Sequence, residues 1–173
     1  IEVGSALNSA MRFETTQLTP GGRAFFQHAD KQRNGYTGAL DKIEEGGWDY
    51  VILQEQSGSW FQLIDSKYGI SINGVVVTFP TILVETIKSV NATPVFLATW
   101  KEKYGPMNAE NQEKVTDAYS YAARVNNAYC APCGDALLTL HQAKGDSFIY
   151  LDDVHPTYTA QVLNAYVLYA TLT

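Results

Sequence analysis

The order of apolar segments predicts an α/β protein in which helices cover both faces of a parallel sheet. Two observations carry that expectation. Asp49-Tyr50-Val51-Ile52-Leu53 and Pro94-Val95-Phe96-Leu97-Ala98-Thr99 are short and almost wholly apolar, as strands buried on both faces are. Between and after them lie stretches with apolar residues at helical spacing, and strands that alternate with helices make a parallel sheet.

The elements follow in order. Val3 to Met11 reads as the end of a helix, Arg12 to Leu18 as an extended segment, and Thr19-Pro20-Gly21-Gly22 as a turn. Phe79 to Val90 sets Ile82, Leu83, Val84 and Ile87 on one stripe, so strand, helix and strand form a right-handed βαβ unit. Asn108 to Asn126 is amphipathic through Val115, Ala118, Tyr119, Ala122 and Val125. A short strand at Ala128 to Ala131 follows, then a helix capped by Asp135 and running to His141. Phe148-Ile149-Tyr150-Leu151 leads into a polar loop at Asp152. Pro156 opens a last helix that is expected to bury Val162, Leu163, Tyr166, Val167 and Ala170. No repeat, low-complexity tract or linker interrupts residues 1–173, so a single domain is expected.

Composition excludes several classes. The chain has 173 residues, 46% of them apolar and 17% charged, enough for a packed core and unlike a disordered tail. A net charge of −6 argues against nucleic acid and anionic membranes as partners. No apolar run approaches the roughly 20 residues that span a bilayer. Ile1 is not an initiator residue, which suggests a removed leader. Asn91-Ala92-Thr93 matches the N-glycosylation pattern of secreted proteins, although Pro94 directly after it makes Asn91 a poor acceptor. A secreted, extracellular protein is the expectation. Cys130 and Cys133 form a C-x-x-C, read as a local disulfide or two packed thiols. Zinc would need further ligands, and His28, His141 and His155 lack matching spacing, so no metal is expected.

Ligands of such sheets bind beyond the carboxyl ends of the strands. Three polar or glycine-rich loops are expected there: Thr19 to Gly22, Gln54 to Ser59, and Asp152 to His155. His155 follows Asp152 by three residues at the mouth of the last helix. An imidazole can take a proton from a hydroxyl near neutral pH, and a carboxylate on its other nitrogen fixes the tautomer and stabilises the imidazolium. A simple turn would also explain D-x-x-H. Gln54-Glu55-Gln56-Ser57 could supply amide donors to an oxyanion, with backbone N–H groups of Gly21 or Gly22 beside them. The alternatives are a polar loop leaving the sheet and, for Glu55, a buried structural carboxylate. Trp60, Phe61, Trp100 and Tyr104 are candidates for stacking on a sugar ring.

Thr19-Pro20-Gly21-Gly22, Trp48 to Ser57, Ala98-Thr99-Trp100, Ala131 to Ala136 and Asp152 to Thr157, in that order, make the chain resemble the SGNH (GDSL-like) hydrolases. Within them it resembles a lineage with a W-D-x-V-x-L-Q-E-Q-S segment. The resemblance implies a three-layer α/β/α sandwich and a Ser–His–Asp ester hydrolase without metal or organic cofactor. Its substrate would be a small-molecule or carbohydrate O-acyl ester. His155 takes the position of the base and Asp152 that of the orienting acid. Gly21 or Gly22 matches the glycine whose N–H lines the oxyanion hole. Where the family places an asparagine, this chain has Gln54-Glu55-Gln56-Ser57; Gln54 is the first choice as its substitute and Gln56 the next.

The family's nucleophilic serine lies in a turn after the first strand. Ile1 to Ser9 reads better as the helix that follows that turn, because three residues before Gly4 are too few for a central strand. The serine and the first strand are therefore expected upstream of Ile1, with Ser5 as the alternative nucleophile. The competing function is a non-catalytic binding or structural subunit of an extracellular assembly. In it, self-association would fill the open sheet position with a strand from another chain.

Overall fold

The computed structural model describes residues 12–102 and 107–173, which fall into two compact units. One comprises Leu18–Leu97 and Asp117–Cys130. The other comprises Ala98–Thr116, Ala131–Thr173 and the described residues up to Gln17. The helix expected over Val3 to Met11, Ser5 and Tyr104 lie outside the described residues. In chain order the helices are α1 (Phe25–Ala29), α2 (Ala39–Glu44), α3 (Phe79–Ser89), α4 (Ala109–Val125), α5 (Cys133–Lys144), α6 (Asp146–Ile149) and α7 (Tyr158–Leu172). The strands are β1 (Tyr50–Leu53), β2 (Gly69–Ile72), β3 (Val75–Thr78), β4 (Thr93–Leu97) and β5 (Tyr129–Ala131), and a 3-10 helix covers Ser57–Leu63.

The first unit is built on a sheet of order β1-β4-β5. β1 and β4 are parallel, with Tyr50 opposite Thr93 and Leu53 opposite Phe96, and α3 crosses between them. This is the expected βαβ unit. Pro80 sits in the first turn of α3, where its missing N–H has no helical partner to lose. Phe79, Leu83, Val84 and Ile87 form the buried stripe. The helix stops at Asn91, whose φ of +61° turns the chain left-handed while its N–H donates to the Lys88 carbonyl. Val95 and Phe96 of β4 are fully buried, as expected. β1 differs: Tyr50 and Ile52, on one face, are 43% and 40% exposed. Among the described strands β1 is at an end of the sheet, and an end strand has fewer neighbours to cover it.

The β2–β3 hairpin is an addition to the expected elements. Asn73 (φ +51°) and Gly74 (φ +81°) link the strands, the left-handed pair that a two-residue hairpin turn requires. The core of this unit includes Phe25, Phe96 and Tyr119, whose rings stand 6.1 and 6.5 Å apart in succession.

In the second unit Trp100, Met107, Leu137, Ile149, Tyr150 and Ala160 form the core. α5 begins at Cys133, ahead of the expected Asp135 cap; Asp135 lies within its first turn and accepts the Thr116 hydroxyl through Oδ1 at 2.6 Å. Pro156 is not in α7 but bridges to Tyr150; Thr157 is the N-cap, its Oγ1 accepting the Ala160 N–H at 3.2 Å. α7 buries Ala160 and Asn164, leaves Tyr166 and Ala170 exposed, and half-buries Val162, Leu163 and Val167. It carries no charged residue, so apolar spacing could not select its inner face. Cys130 and Cys133 are thiols; the disulfide alternative is not formed. No described helix is long and apolar enough to cross a membrane.

Candidate active site

The loop between α6 and α7 is pinned at its base. The Leu151 N–H donates to the His155 carbonyl at 2.9 Å and the Thr157 N–H to the Ile149 carbonyl at 2.8 Å. Inside it, Asp152 Oδ1 accepts the N–H groups of Val154 (2.8 Å) and His155 (2.7 Å), the local turn that aspartate favours. The other oxygen, Oδ2, lies 2.7 Å from His155 Nδ1. The His155 and Val154 backbone N–H groups, then the imidazole, lower the Asp152 pKa to about 2, so this carboxylate is an anion at any ordinary pH. An anionic partner at Nδ1 holds a proton there and leaves Nε2 as the nitrogen that can accept one. Both side chains face solvent, His155 at 73% and Asp152 at 53% exposure. The loop follows a helix, not the strand that was expected.

Trp100 corrects its sequence assignment. It is only 7% exposed and offers no face to a sugar; its Nε1–H donates to the Val154 carbonyl at 3.1 Å. It therefore anchors the loop that carries the Asp–His pair. Its own segment is clamped by fully buried Gln112, whose Nε2 donates to the Thr99 carbonyl (3.0 Å) and whose Oε1 accepts the Lys101 N–H (2.9 Å). The Tyr150 hydroxyl donates to the Lys101 carbonyl at 2.5 Å, and burial, with Asp146 and Glu102 nearby, pushes its pKa to about 12, keeping it a donor. Gly134 closes the clamp: a Cβ there would meet the Thr99 carbonyl oxygen at 2.1 Å and Gln112 Nε2 at 2.2 Å. Gln112, Gly134 and Tyr150 were not singled out by sequence. The signal for Gln112 was a polar residue on the Val115–Tyr119 stripe, one turn upstream.

The remaining candidates belong to the first unit. Gly21 and Gly22 form an exposed turn, Gly22 with φ +69°, and a Cβ on either would meet nothing within 4 Å. The extended segment expected before them forms no strand over residues 12–18, so the turn does not leave a strand end. Gln54 is exposed at the end of β1. Gln56 is half-buried, and its Oε1 accepts the Ser59 hydroxyl at 3.0 Å. Glu55 between them is a buried carboxylate. Trp60 is half-buried in the 3-10 helix, edge-on to Phe61 at 6.3 Å between centroids. Asn91 is exposed, and its left-handed cap geometry accounts for an asparagine there without a glycan. The structure thus brings Asp152 and His155 into contact, and sets Gly21, Gly22, Gln54 and Gln56 in the other compact unit.

An α/β fold with a parallel βαβ unit, carrying an Asp–His pair on the loop into its last helix, is the class defined so far. No protein-family model and no curated protein matches the sequence. Among solved structures the chain is similar to a protein from Slackia heliotrinireducens proposed to be an SGNH hydrolase. They are 21% identical, the match covers 88% of this chain and 81% of that one, and the TM-score is 0.68. It is also similar to a member of the lipolytic protein G-D-S-L family from Veillonella parvula, at 18% identity over 87% of this chain and 88% of that one, with a TM-score of 0.51. The chain has the fold of the SGNH hydrolases.

Proposed function

We propose that the protein is an SGNH-type ester hydrolase acting on O-acyl esters of small molecules or carbohydrates. The observation that carries this reading is the 2.7 Å contact between Asp152 Oδ2 and His155 Nδ1, made by an imidazole that stays open to solvent. In the reaction a serine Oγ attacks the ester carbonyl while His155 Nε2 takes its proton. The tetrahedral oxyanion needs hydrogen-bond donors, and the family resemblance nominates the Gly21 or Gly22 N–H and the amide of Gln54 or Gln56 for that role. Collapse breaks the C–O bond, and His155 gives its proton to the leaving alcohol. Water then repeats the sequence on the acyl-enzyme, releasing acid and free serine. The nucleophilic serine is the one that the family resemblance implies.

The test is hydrolysis of p-nitrophenyl acetate by the full gene product. His155→Ala should lower kcat by roughly 10²–10⁴-fold, the usual contribution of a general base. Asp152→Asn keeps an oxygen for the two backbone N–H groups but loses the anion, so it should also lose activity while melting near the parent temperature. Unchanged hydrolysis in a folded His155→Ala protein would sink the assignment.

A further inference from the structure

Glu55 is the one charged residue among the described buried side chains, 1% exposed. A carboxylate is costly to bury, and the partners of this one are backbone N–H groups rather than a cation. An apolar residue of similar size would fill the space more cheaply. What the carboxylate does that an apolar side chain cannot is join two loops. The Phe25 N–H donates to both of its oxygens, at 3.0 and 3.2 Å, and the Gln56 N–H donates to Oε1 at 2.7 Å. The residue's own N–H donates to the Tyr119 hydroxyl at 3.0 Å, and that hydroxyl lies 3.4 Å from the Glu55 carbonyl, so its backbone is held too. One side chain thus connects the start of α1, three residues after Gly22, to the segment in which Gln54 and Gln56 flank it.

We propose that Glu55 is a positioning residue for oxyanion stabilisation, its carboxylate setting the Gly21–Gly22 turn against the Gln54–Gln56 segment. This rests on the ester-hydrolase reading and names the regulation of the same site. Glu55 is buried, so it acts through the donors and not on the ester. Protonation converts one acceptor oxygen into a donor and slackens the tether. Burial, opposed by the two N–H groups, moves its pKa up to about 7, which places the change near neutral pH. The titratable group touching Glu55 from α4 is the Tyr119 hydroxyl; from α1 the contact is the backbone of Phe25.

Glu55→Gln mimics the protonated state and keeps one acceptor; Glu55→Asp keeps the charge on a shorter arm. The full gene product and both variants are assayed on p-nitrophenyl acetate from pH 5.5 to 8.5. The kcat ratio of parent to Glu55→Gln should rise by about tenfold across that range, with KM little changed, because donor placement acts on the transition state. Any pH dependence common to both proteins cancels in the ratio. A ratio that stays flat with pH overturns the proposal, whereas loss of the parent's dependence on His155 overturns the hydrolase reading instead. Amide hydrogen exchange supplies a readout independent of turnover. Faster exchange at Gly21, Gly22 and Gln56 in Glu55→Gln supports the tether, and unchanged exchange there overturns it.

Discussion

Trp100→Phe separates packing from orientation. It keeps a ring among Met107, Leu137, Ile149, Tyr150 and Ala160 and deletes the Nε1–H that reaches the Val154 carbonyl at 3.1 Å. A neutral hydrogen bond contributes about 1 kcal/mol net, and Val154 is half-buried, so water can partly replace the donor. Phenyl also lacks two carbons of the indole, worth about 0.8 kcal/mol each when buried, or roughly 1–2 kcal/mol together. The sum is about 2–3 kcal/mol. For a protein of this length each kcal/mol shifts Tm by roughly 2–4 °C, so the variant should melt roughly 4–12 °C lower. A purely structural residue would stop there. If Trp100 also orients the Asp152–His155 loop, kcat/KM on p-nitrophenyl acetate at 25 °C, where the variant is still folded, should fall by about tenfold, a barrier increase of about 1.4 kcal/mol. Calorimetry and steady-state kinetics on the same preparation decide it. A lowered Tm with undiminished kcat/KM would refute the anchoring role.

Two further outcomes concern stability. Gly134→Ala places a methyl 2.1 Å from the Thr99 carbonyl oxygen, which Gln112 holds, so relief must come from moving backbone; it should lower stability by about 1–3 kcal/mol. An unchanged melting temperature would mean that α5 does not approach Thr99 so closely. Glu55 should make stability fall as pH rises. Its pKa is about 7 when folded against 4.5 for the model group, so between those values the folded protein holds a proton that the unfolded chain releases. The contribution is complete below pH 4.5 and lost through pH 7, about 3 kcal/mol in all at about 1.4 kcal/mol per unit. Glu55→Gln removes that slope, so denaturant melts should show its stability relative to the parent increasing by about that amount from pH 4.5 to 8. His28, lowered by burial and then by Arg23, slopes the other way in both proteins and cancels. A pH-independent difference would show that the carboxylate is not raised.

Legibility in the sequence followed the length and contrast of each segment. α3 and α4 were readable because a long apolar stripe sits among polar residues, and β1 and β4 because each is a short apolar run between turn signals. α1 and α2 have five and six residues, too few for a period to show. The β2–β3 hairpin carries a local signal, Asn73-Gly74 between β-branched residues, beyond the elements that apolar periodicity picks out. At the site, Asp152 and His155 are neighbours in sequence, so their contact was foreseeable. The Trp100 anchor joins residues 54 positions apart, and no local pattern announces that a tryptophan is spent on a distant carbonyl.

Two carboxylates are placed where stability alone does not explain them, and for opposite reasons. A turn at Asp152 needs only Oδ1, which takes both backbone N–H groups. Oδ2 is left to hold an imidazole that is mostly exposed, and ordering an exposed side chain costs entropy for a surface contact worth little. Glu55 is the reverse case: a charge kept inside a core where an apolar residue would be cheaper. Such departures from the least costly choice concentrate at functional sites. One holds the His155 imidazole through Nδ1; the other ties the start of α1 to the segment of Gln54 and Gln56. Each carboxylate therefore asks for an explanation within its own unit, and the proposed acyl transfer would supply one for each: a proton acceptor needs orienting and oxyanion donors need fixing.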